Sequence, residues 1–288
     1  MGSAFLITLR EGIEAALIIS ILLAYLRQVG EEGQARLVWI GSAAAIVVSL
    51  AAGAVLYGIG AEFEGTAEQA FEGLVTLFAV AVLTWMIFCM RRQGGRVKSE
   101  LQHRVDAALL GGGLALGSLA FVAVLREGIE TALFLYGAEQ AAGQGLLPTV
   151  LGGLIGLSVA AVLGYLLYRG GLRLNLRVFF RVTGVLIIIV AAGLFAFSVH
   201  ELQEAGWLPF LTQPAFDISH RLSDENGVGA MLRAVIGYND DPSVLEVIAW
   251  ASYLLVAGLL FLRPMSTTPA PVAQASNDPE RSTSVATR

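Results

Sequence analysis

Seven apolar stretches dominate this chain, and each has about the 20 residues that a helix needs to cross a lipid bilayer. Barrel strands are shorter, at about 10 residues, and alternate in polarity, so these long continuous runs favour helices. The sequence therefore predicts an all-α, polytopic membrane protein with seven transmembrane helices. The stretches are 4–26, 37–59, 71–90, 109–136, 146–168, 182–199 and 244–262.

The composition excludes an ordinary cytosolic enzyme and a disordered protein. Charged residues make up 14% of the 288 residues, against about 25% in a typical soluble domain. Hydrophobic residues reach 56%, and the mean hydropathy is +0.72. The single cysteine, Cys89, excludes an intramolecular disulfide and a cysteine-clustered zinc or iron–sulfur site. The net charge of -5 gives no reason to expect a nucleic-acid partner.

Basic side chains alternate between the loops. The loops at 27–36, 91–108 and 169–181 contain Arg or Lys, whereas those at 60–70 and 137–145 contain neither. Because Lys and Arg mark cytoplasmic loops, the pattern predicts an outer N-terminus and a cytoplasmic C-terminus in the cell inner (cytoplasmic) membrane.

A repeated motif predicts the internal organisation. FLITLREGIEAAL begins at Phe5 and FVAVLREGIETAL at Phe121, so the two REGIE motifs (residues 10–14 and 126–130) lie 116 residues apart. Three spans separate equivalent positions, which predicts an inverted 3+3 repeat plus one extra helix. The expected parts are a permease domain at 1–262 and a disordered cytoplasmic tail at 263–288. Within the permease domain we expect repeat one at about 4–90, repeat two at about 109–199, an outer loop at 200–243 and the seventh helix at 244–262.

The REGIE motifs place six charges inside the bilayer, where each costs about 2.5–3.5 kcal/mol on insertion scales unless it is paired or faces a cavity. Spacing of i,i+4 allows the supporting ion pairs of Arg10 and Arg126 with the last glutamate of each motif. A purely structural ion pair explains these arginines but not the second glutamate of each motif. Carboxylates are hard ligands, so the motifs predict a site for a hard cation, with ferric iron, calcium, magnesium and manganese all open. The candidate ligands are Glu11, Glu14, Glu127 and Glu130.

Further acidic residues lie at the outer side. Glu72, in the first turn of the third stretch, is added to the candidate metal ligands because it lies deepest. Acidic side chains also favour helix N-termini, which accounts for part of this set without any function. An acidic outer vestibule would concentrate cations by electrostatic focusing. Its candidate residues are Glu62, Glu64, Glu68, His200, Glu201 and Glu204.

The doubled motif resembles the oxidase-linked iron permease family, which includes the fungal high-affinity iron permease and the bacterial EfeU-type permeases. The family hallmark is R-E-G-[LI]-E in the first and fourth of seven spans, and here Ile replaces the commoner Leu in both copies. The third stretch, with Glu72 in an E-G-L element, and HELQEAGWLP after the sixth are also similar to that family. The resemblance covers about residues 1–262.

The resemblance implies a transporter rather than an enzyme. It implies import of iron that arrives outside as Fe²⁺, is oxidised by a separate protein and passes on as Fe³⁺. Iron is then the transported substrate, and no permanently bound cofactor is expected. The expected partners are membrane lipid and extracytoplasmic iron-oxidising and iron-binding proteins, with no nucleic acid.

Three alternatives follow from the residues. A permease for another metal, such as lead or manganese, would use the same hard ligands. An intramembrane di-metal carboxylate oxidoreductase is disfavoured because such sites usually use Glu-x-x-His, whereas both motifs end in Glu. A purely structural membrane subunit is disfavoured by the six intramembrane charges.

Overall fold

The computed structural model describes residues 1–93, 105–108, 113–143, 145–169, 176–224 and 227–263. Regular structure in these ranges is helical, apart from one antiparallel bridge between Pro214 and Ser243. The expected all-α fold is therefore confirmed. The main helices are α1 (Gly2–Gln28), α2 (Ala35–Gly60), α3 (Thr66–Gln93), α4 (Gly113–Ala142), α5 (Leu146–Tyr168), α6 (Leu176–Glu204), α7 (Gly227–Ile236) and α8 (Val244–Leu262).

All seven apolar stretches coincide with helices α1 to α6 and α8 in their described parts. By length and composition, five helices could cross a membrane: Glu32–Gly60, Thr66–Cys89, Leu146–Tyr168, Val178–Glu204 and Val244–Leu262. Helices α1 and α4 differ from these five because each carries the three charges of a REGIE motif. The tail from 264 onward, and the parts of the basic loops at 94–104, 109–112 and 170–175, lie outside the described residues.

Close helix contacts fix the directions of the helices. Gly12 of α1 lies beside Ala160 of α5, and a Cβ atom on Gly12 would come within 2.7 Å of the Ala160 Cβ. One turn further along both helices, Ala16 lies beside Gly164, so α1 and α5 run parallel. Contacts at Gly41 and Gly53 show that α2 and α4 also run parallel. Small residues at these contacts let the backbones approach closely.

Two buried apolar clusters show that α1 and α4 run in opposite directions. Ile7 near the start of α1 shares a cluster with Phe134 near the end of α4. Leu22 near the end of α1 shares a second cluster with Leu116 near the start of α4. The REGIE motifs therefore lie between the two clusters. We call the end of the bundle at which α1 begins the outer end, after the orientation that the sequence predicts.

The remaining contacts surround this crossing. Helix α3 packs against α6, and α6 packs against α8. The long loop after α6 folds back over the outer end, where the Ala215 amide donates to the Pro242 carbonyl and the Ile218 amide donates to the Asp240 carbonyl. It includes α7, whose Val235 reaches Gly2 of α1.

Candidate metal centre

Three glutamates from the two REGIE motifs converge where α1 crosses α4. One carboxylate oxygen from each of Glu11, Glu14 and Glu127 lies within 4.8 Å of the others. These residues are buried, with exposed fractions of 1%, 7% and 5%. Oxygen ligands at such mutual distances can coordinate a single hard cation.

Glu130 adjoins this group through its own arginine. The Arg126 Nε lies 2.8 Å from the Glu130 Oε1 and 4.0 Å from the Glu127 Oε1. Glu130 is buried like the other three glutamates. We refer to Glu11, Glu14, Glu127 and Glu130 as the REGIE cluster.

Arg10 and Arg126 neutralise the cluster only in part. The Arg10 guanidinium is buried and lies 3.2 Å from both the Glu11 Oε1 and the Glu14 Oε1. The Arg126 side chain is 52% exposed and lies above the Trp85 ring, with its Cζ 6.0 Å from the ring centroid. The cluster has two more carboxyl groups than guanidinium groups, so its formal charge balance favours a bound cation.

Several buried oxygens of the cluster have no hydrogen-bond partner in the described part of the chain. They include the Oε2 atoms of Glu11, Glu127 and Glu130. A buried oxygen without a partner loses its hydration free energy and gains nothing in return. Helix-locking ion pairs alone would leave these oxygens unsatisfied, whereas a bound cation would satisfy them.

Glu72 lies apart from the group of three glutamates. It is half-buried near the start of α3, and its carboxylate accepts a hydrogen bond from the Gln140 Nε2 of α4. Gln140 lies ten residues beyond Glu130 on α4, towards the outer end of the bundle. Glu72 is therefore nearer the outer end than the REGIE cluster is.

The vestibule candidates divide into buried and exposed residues. Glu201 is buried, with 9% of its surface exposed, whereas Glu62, Glu64 and Glu68 are exposed. The Glu204 Oε2 accepts a hydrogen bond of 2.7 Å from Gln69 of α3. His200 bridges two acidic residues, with its Nε2 3.3 Å from Glu204 and its Nδ1 3.1 Å from Glu246.

A polar cavity of about 490 Å³ lies between α6, α7 and the outer loop. Arg233 of α7 closes one side, with its Nη1 2.8 Å from the Asp224 Oδ2 and its Nε donating to the Ala141 carbonyl at 3.0 Å. Burial raises the pKa of the Asp224 carboxyl, and the Arg233 guanidinium opposes that rise. The cavity is lined by residues of both charge signs, including His200, Asp240, Asp241 and Glu246.

Comparison with known proteins identifies the family. The model of the iron permease FTR1 family matches residues 1–267. The chain belongs to the iron permease FTR1 family. The ferrous iron permease EfeU of Escherichia coli O157:H7 is 42% identical over 263 residues, which cover 90% of this chain and 95% of the relative. The ferrous iron permease EfeU of Yersinia pestis is 38% identical over 276 residues, which cover 94% and 97%.

The family assignment confirms the resemblance carried by the two REGIE motifs. The FTR1 family and these relatives are named as permeases, so the chain is a transporter rather than an enzyme. With several helices able to cross a membrane, it is a multi-pass membrane protein. No solved structure matches the chain at a significant level.

Several polar residues of this iron permease family member were not among the sequence candidates. Glu139 and Gln140 lie at the end of α4, where isolated polar residues form no pattern that would single them out. Glu246 had a usable signal, because Ser243 and Glu246 form the S-x-x-E capping box that starts α8. The contact between Glu246 and His200 could not be predicted, because 46 residues separate them in the sequence.

Proposed function

We propose that the chain imports iron across the cytoplasmic membrane through the REGIE cluster. The observation that carries this proposal is the convergence of Glu11, Glu14 and Glu127, from two helices, on one buried point. Family membership supplies the identity of the ion. The geometry supports a site at which carboxylate oxygens would replace part of the water shell of the ion.

The proposed architecture has seven membrane spans, with an outer N-terminus, a cytoplasmic C-terminus and an inverted repeat. Duplicated contacts support the repeat. Gly12 packs on Ala160 and Gly128 packs on Ser49; the glycines are 116 residues apart and their partners 111. The same two offsets relate a second pair of contacts, Gly152 with Met1 and Gly41 with Gly117. Transporters of this type bind their ions at the interface between the two repeats.

The membrane potential supplies a driving force for import. Each positive charge that moves inward gains about 2.3 kcal/mol per 100 mV. A trivalent ion therefore gains roughly 7 kcal/mol, and a divalent ion about two thirds of that. In this mechanism the outer acidic residues concentrate the ion, the REGIE cluster replaces its water shell, and a rearrangement of the two repeats exposes it to the cytoplasm.

We further propose that the ion crosses as Fe³⁺, after a separate extracytoplasmic protein oxidises Fe²⁺ and a binding protein delivers it. The all-carboxylate ligand set supports the harder ferric ion. The printed names of the relatives specify ferrous iron, so the two oxidation states are compared directly in the experiment below.

The test is iron flux into proteoliposomes that contain only this chain, with the interior held negative. ⁵⁵Fe is supplied either as Fe²⁺ under nitrogen with ascorbate or as Fe³⁺ citrate. The single variants Glu14→Gln and Glu127→Gln each remove one charge from the REGIE cluster. In both variants we expect iron uptake to fall to the level of empty liposomes. Asp241→Asn removes one exposed outer charge and serves as the matched control.

Wild-type uptake in both REGIE variants would show that the cluster is not the transport site. Uptake of Fe²⁺ but not Fe³⁺ would contradict the ferric part of the proposal and leave the site in place. Faster flux of Mn²⁺ or Pb²⁺ than of either iron ion would instead identify a permease for another metal.

A further inference from the structure

A second group of acidic side chains comes together nearer the outer end, where α3, α4 and α6 meet. Gly73, the residue after Glu72, packs closely on α6, and a Cβ atom added to Gly73 would lie 3.2 Å from the Glu201 Cβ. Gln140 of α4 reaches across to donate to the Glu72 carboxylate. Glu139 precedes Gln140, which places another carboxyl group on the end of the same helix.

Buried polar groups without partners lie at this meeting point. Glu201 is 9% exposed, and its carboxylate oxygens, which still reach solvent, form neither a hydrogen bond nor an ion pair among the described residues. The Tyr136 hydroxyl is 2% exposed and lies near the Gln140 amide without a hydrogen bond of standard geometry. The Thr76 hydroxyl, one turn of α3 inward from Glu72, is fully buried and also has no partner. Buried hydroxyls without partners, such as those of Tyr136 and Thr76, are costly unless something else binds them.

The acidic side chains of this second group also outnumber the basic side chains near them. The carboxylates of Glu201, Glu68 and Glu139 lie near enough to the Glu72 carboxylate to repel it. Within the described ranges, no basic side chain forms an ion pair with any of these four glutamates. His200 is the basic side chain that attracts the Glu201 carboxylate most, but its two ring nitrogens contact Glu204 and Glu246. Arg233 attracts Glu201 less, because its guanidinium is held by Asp224 and the Ala141 carbonyl. The REGIE cluster, by contrast, contains two arginines.

We propose that Glu72, Glu139, Glu201 and Gln140 form a second cation site, the outer site, which an imported iron ion occupies before it reaches the REGIE cluster. The inference rests on the proposed function and adds a separate binding step to it. All four side chains offer oxygen ligands, which suit a hard cation. Their carboxylates are less tightly grouped than those of the REGIE cluster, so the ion keeps water molecules between itself and part of the site.

An apolar layer separates the two sites. Ile7 lies one turn outward from Glu11 on α1, and Phe134 lies one turn outward from Glu130 on α4. Both side chains are fully buried in one apolar cluster. An ion in the outer site therefore reaches the REGIE cluster only after this layer rearranges, which makes the two binding steps distinct.

Equilibrium binding to the purified full-length chain tests the outer site. The probe is whichever ion the flux experiment shows to be transported, ⁵⁵Fe³⁺ citrate or ⁵⁵Fe²⁺ under nitrogen with ascorbate. Wild-type protein is expected to bind two ions per chain. The double variant Glu72→Gln/Glu201→Gln should bind one, and Glu14→Gln/Glu127→Gln should also bind one. Asp241→Asn controls for the loss of outer charge and should bind two.

Flux measurements separate the roles of the sites. The outer-site double variant should raise KM for iron uptake by about 10- to 100-fold, the range seen when a metal site is weakened, while the maximal rate stays within about twofold. The REGIE double variant should lose the maximal rate. If the outer-site variant does not fold, Glu72→Asp/Glu201→Asp keeps both charges on shorter side chains and should raise KM less.

Two results would overturn the outer site and leave the proposed function in place. The first is that the wild-type chain binds one ion and only the REGIE double variant loses it. The second is that KM for iron uptake is unchanged in both outer-site double variants. If the REGIE variant keeps its flux and both ions, the proposed function fails. In that case the stoichiometry of the outer-site variant still decides whether the outer site exists.

Discussion

Arg10 and Arg126 occupy identical positions in identical five-residue motifs, yet their surroundings differ. Arg10 is buried and pairs with both glutamates of its own motif. Arg126 is half-exposed and makes its short contact with Glu130 alone. Spacing predicts the i,i+4 pairs, and both pairs are present. The difference in burial was not predictable, because it depends on what the rest of the fold, including Trp85 of α3, places around each guanidinium.

This difference predicts unequal effects on stability. Arg10→Ala leaves two buried carboxylates without their arginine, and breaking a buried pair in this way costs about 3–5 kcal/mol. Arg126→Ala removes a half-exposed partner and should cost clearly less. Thermal unfolding midpoints of the two variants in the same detergent measure the contrast. Equal midpoints for the two alanine variants would mean that burial does not set the strength of these pairs.

At the scale of elements, the packing of α1 on α5 depends on a missing side chain at Gly12. Gly12→Ala places its new Cβ 2.7 Å from the Ala160 Cβ, and overpacking of this kind costs about 1–3 kcal/mol. Gly258→Ala in α8 meets nothing within 4 Å and should be neutral or stabilising, because Ala is the better helix former. Unfolding midpoints of the two variants give the comparison.

A compensating change makes the prediction specific to this contact. Ala160→Gly removes the partner Cβ and should restore most of the stability that Gly12→Ala loses. Ala160→Gly without Gly12→Ala should destabilise the chain slightly. Additive effects of Gly12→Ala and Ala160→Gly would show that the two residues do not share a contact in the folded protein.

The helices themselves were largely predictable from sequence. All seven apolar stretches are helical where described, since continuous apolar runs of this length have few alternatives. The short helix α7 was not predicted, because the outer loop mixes apolar and polar residues without a clear period. The grouping of α3, α4 and α6 around Glu72 was also hidden, since it depends on which helices pack together and not on local spacing.

At the scale of the whole molecule, the number of spans decides which side of the membrane each loop faces. If α1 and α4 did not span the membrane, only the five uniformly apolar helices would span it. The basic residues between α5 and α6 would then lie outside, against the rule that Lys and Arg mark cytoplasmic loops. The seven-span arrangement keeps every basic loop inside and is the one we propose.

The start of α5 distinguishes the two arrangements. Leu147 is 70% exposed there, and it faces outward with seven spans but the cytoplasm with five. In a Cys89→Ser background, Leu147→Cys should react with a membrane-impermeant maleimide on intact spheroplasts. Glu62→Cys should react in the same way, and Gly33→Cys should react only after permeabilisation, because these two positions keep their sides in both arrangements. Protection of Leu147→Cys until permeabilisation would rule out seven spans, and with them the placement of the REGIE cluster inside the bilayer on which the transport site depends.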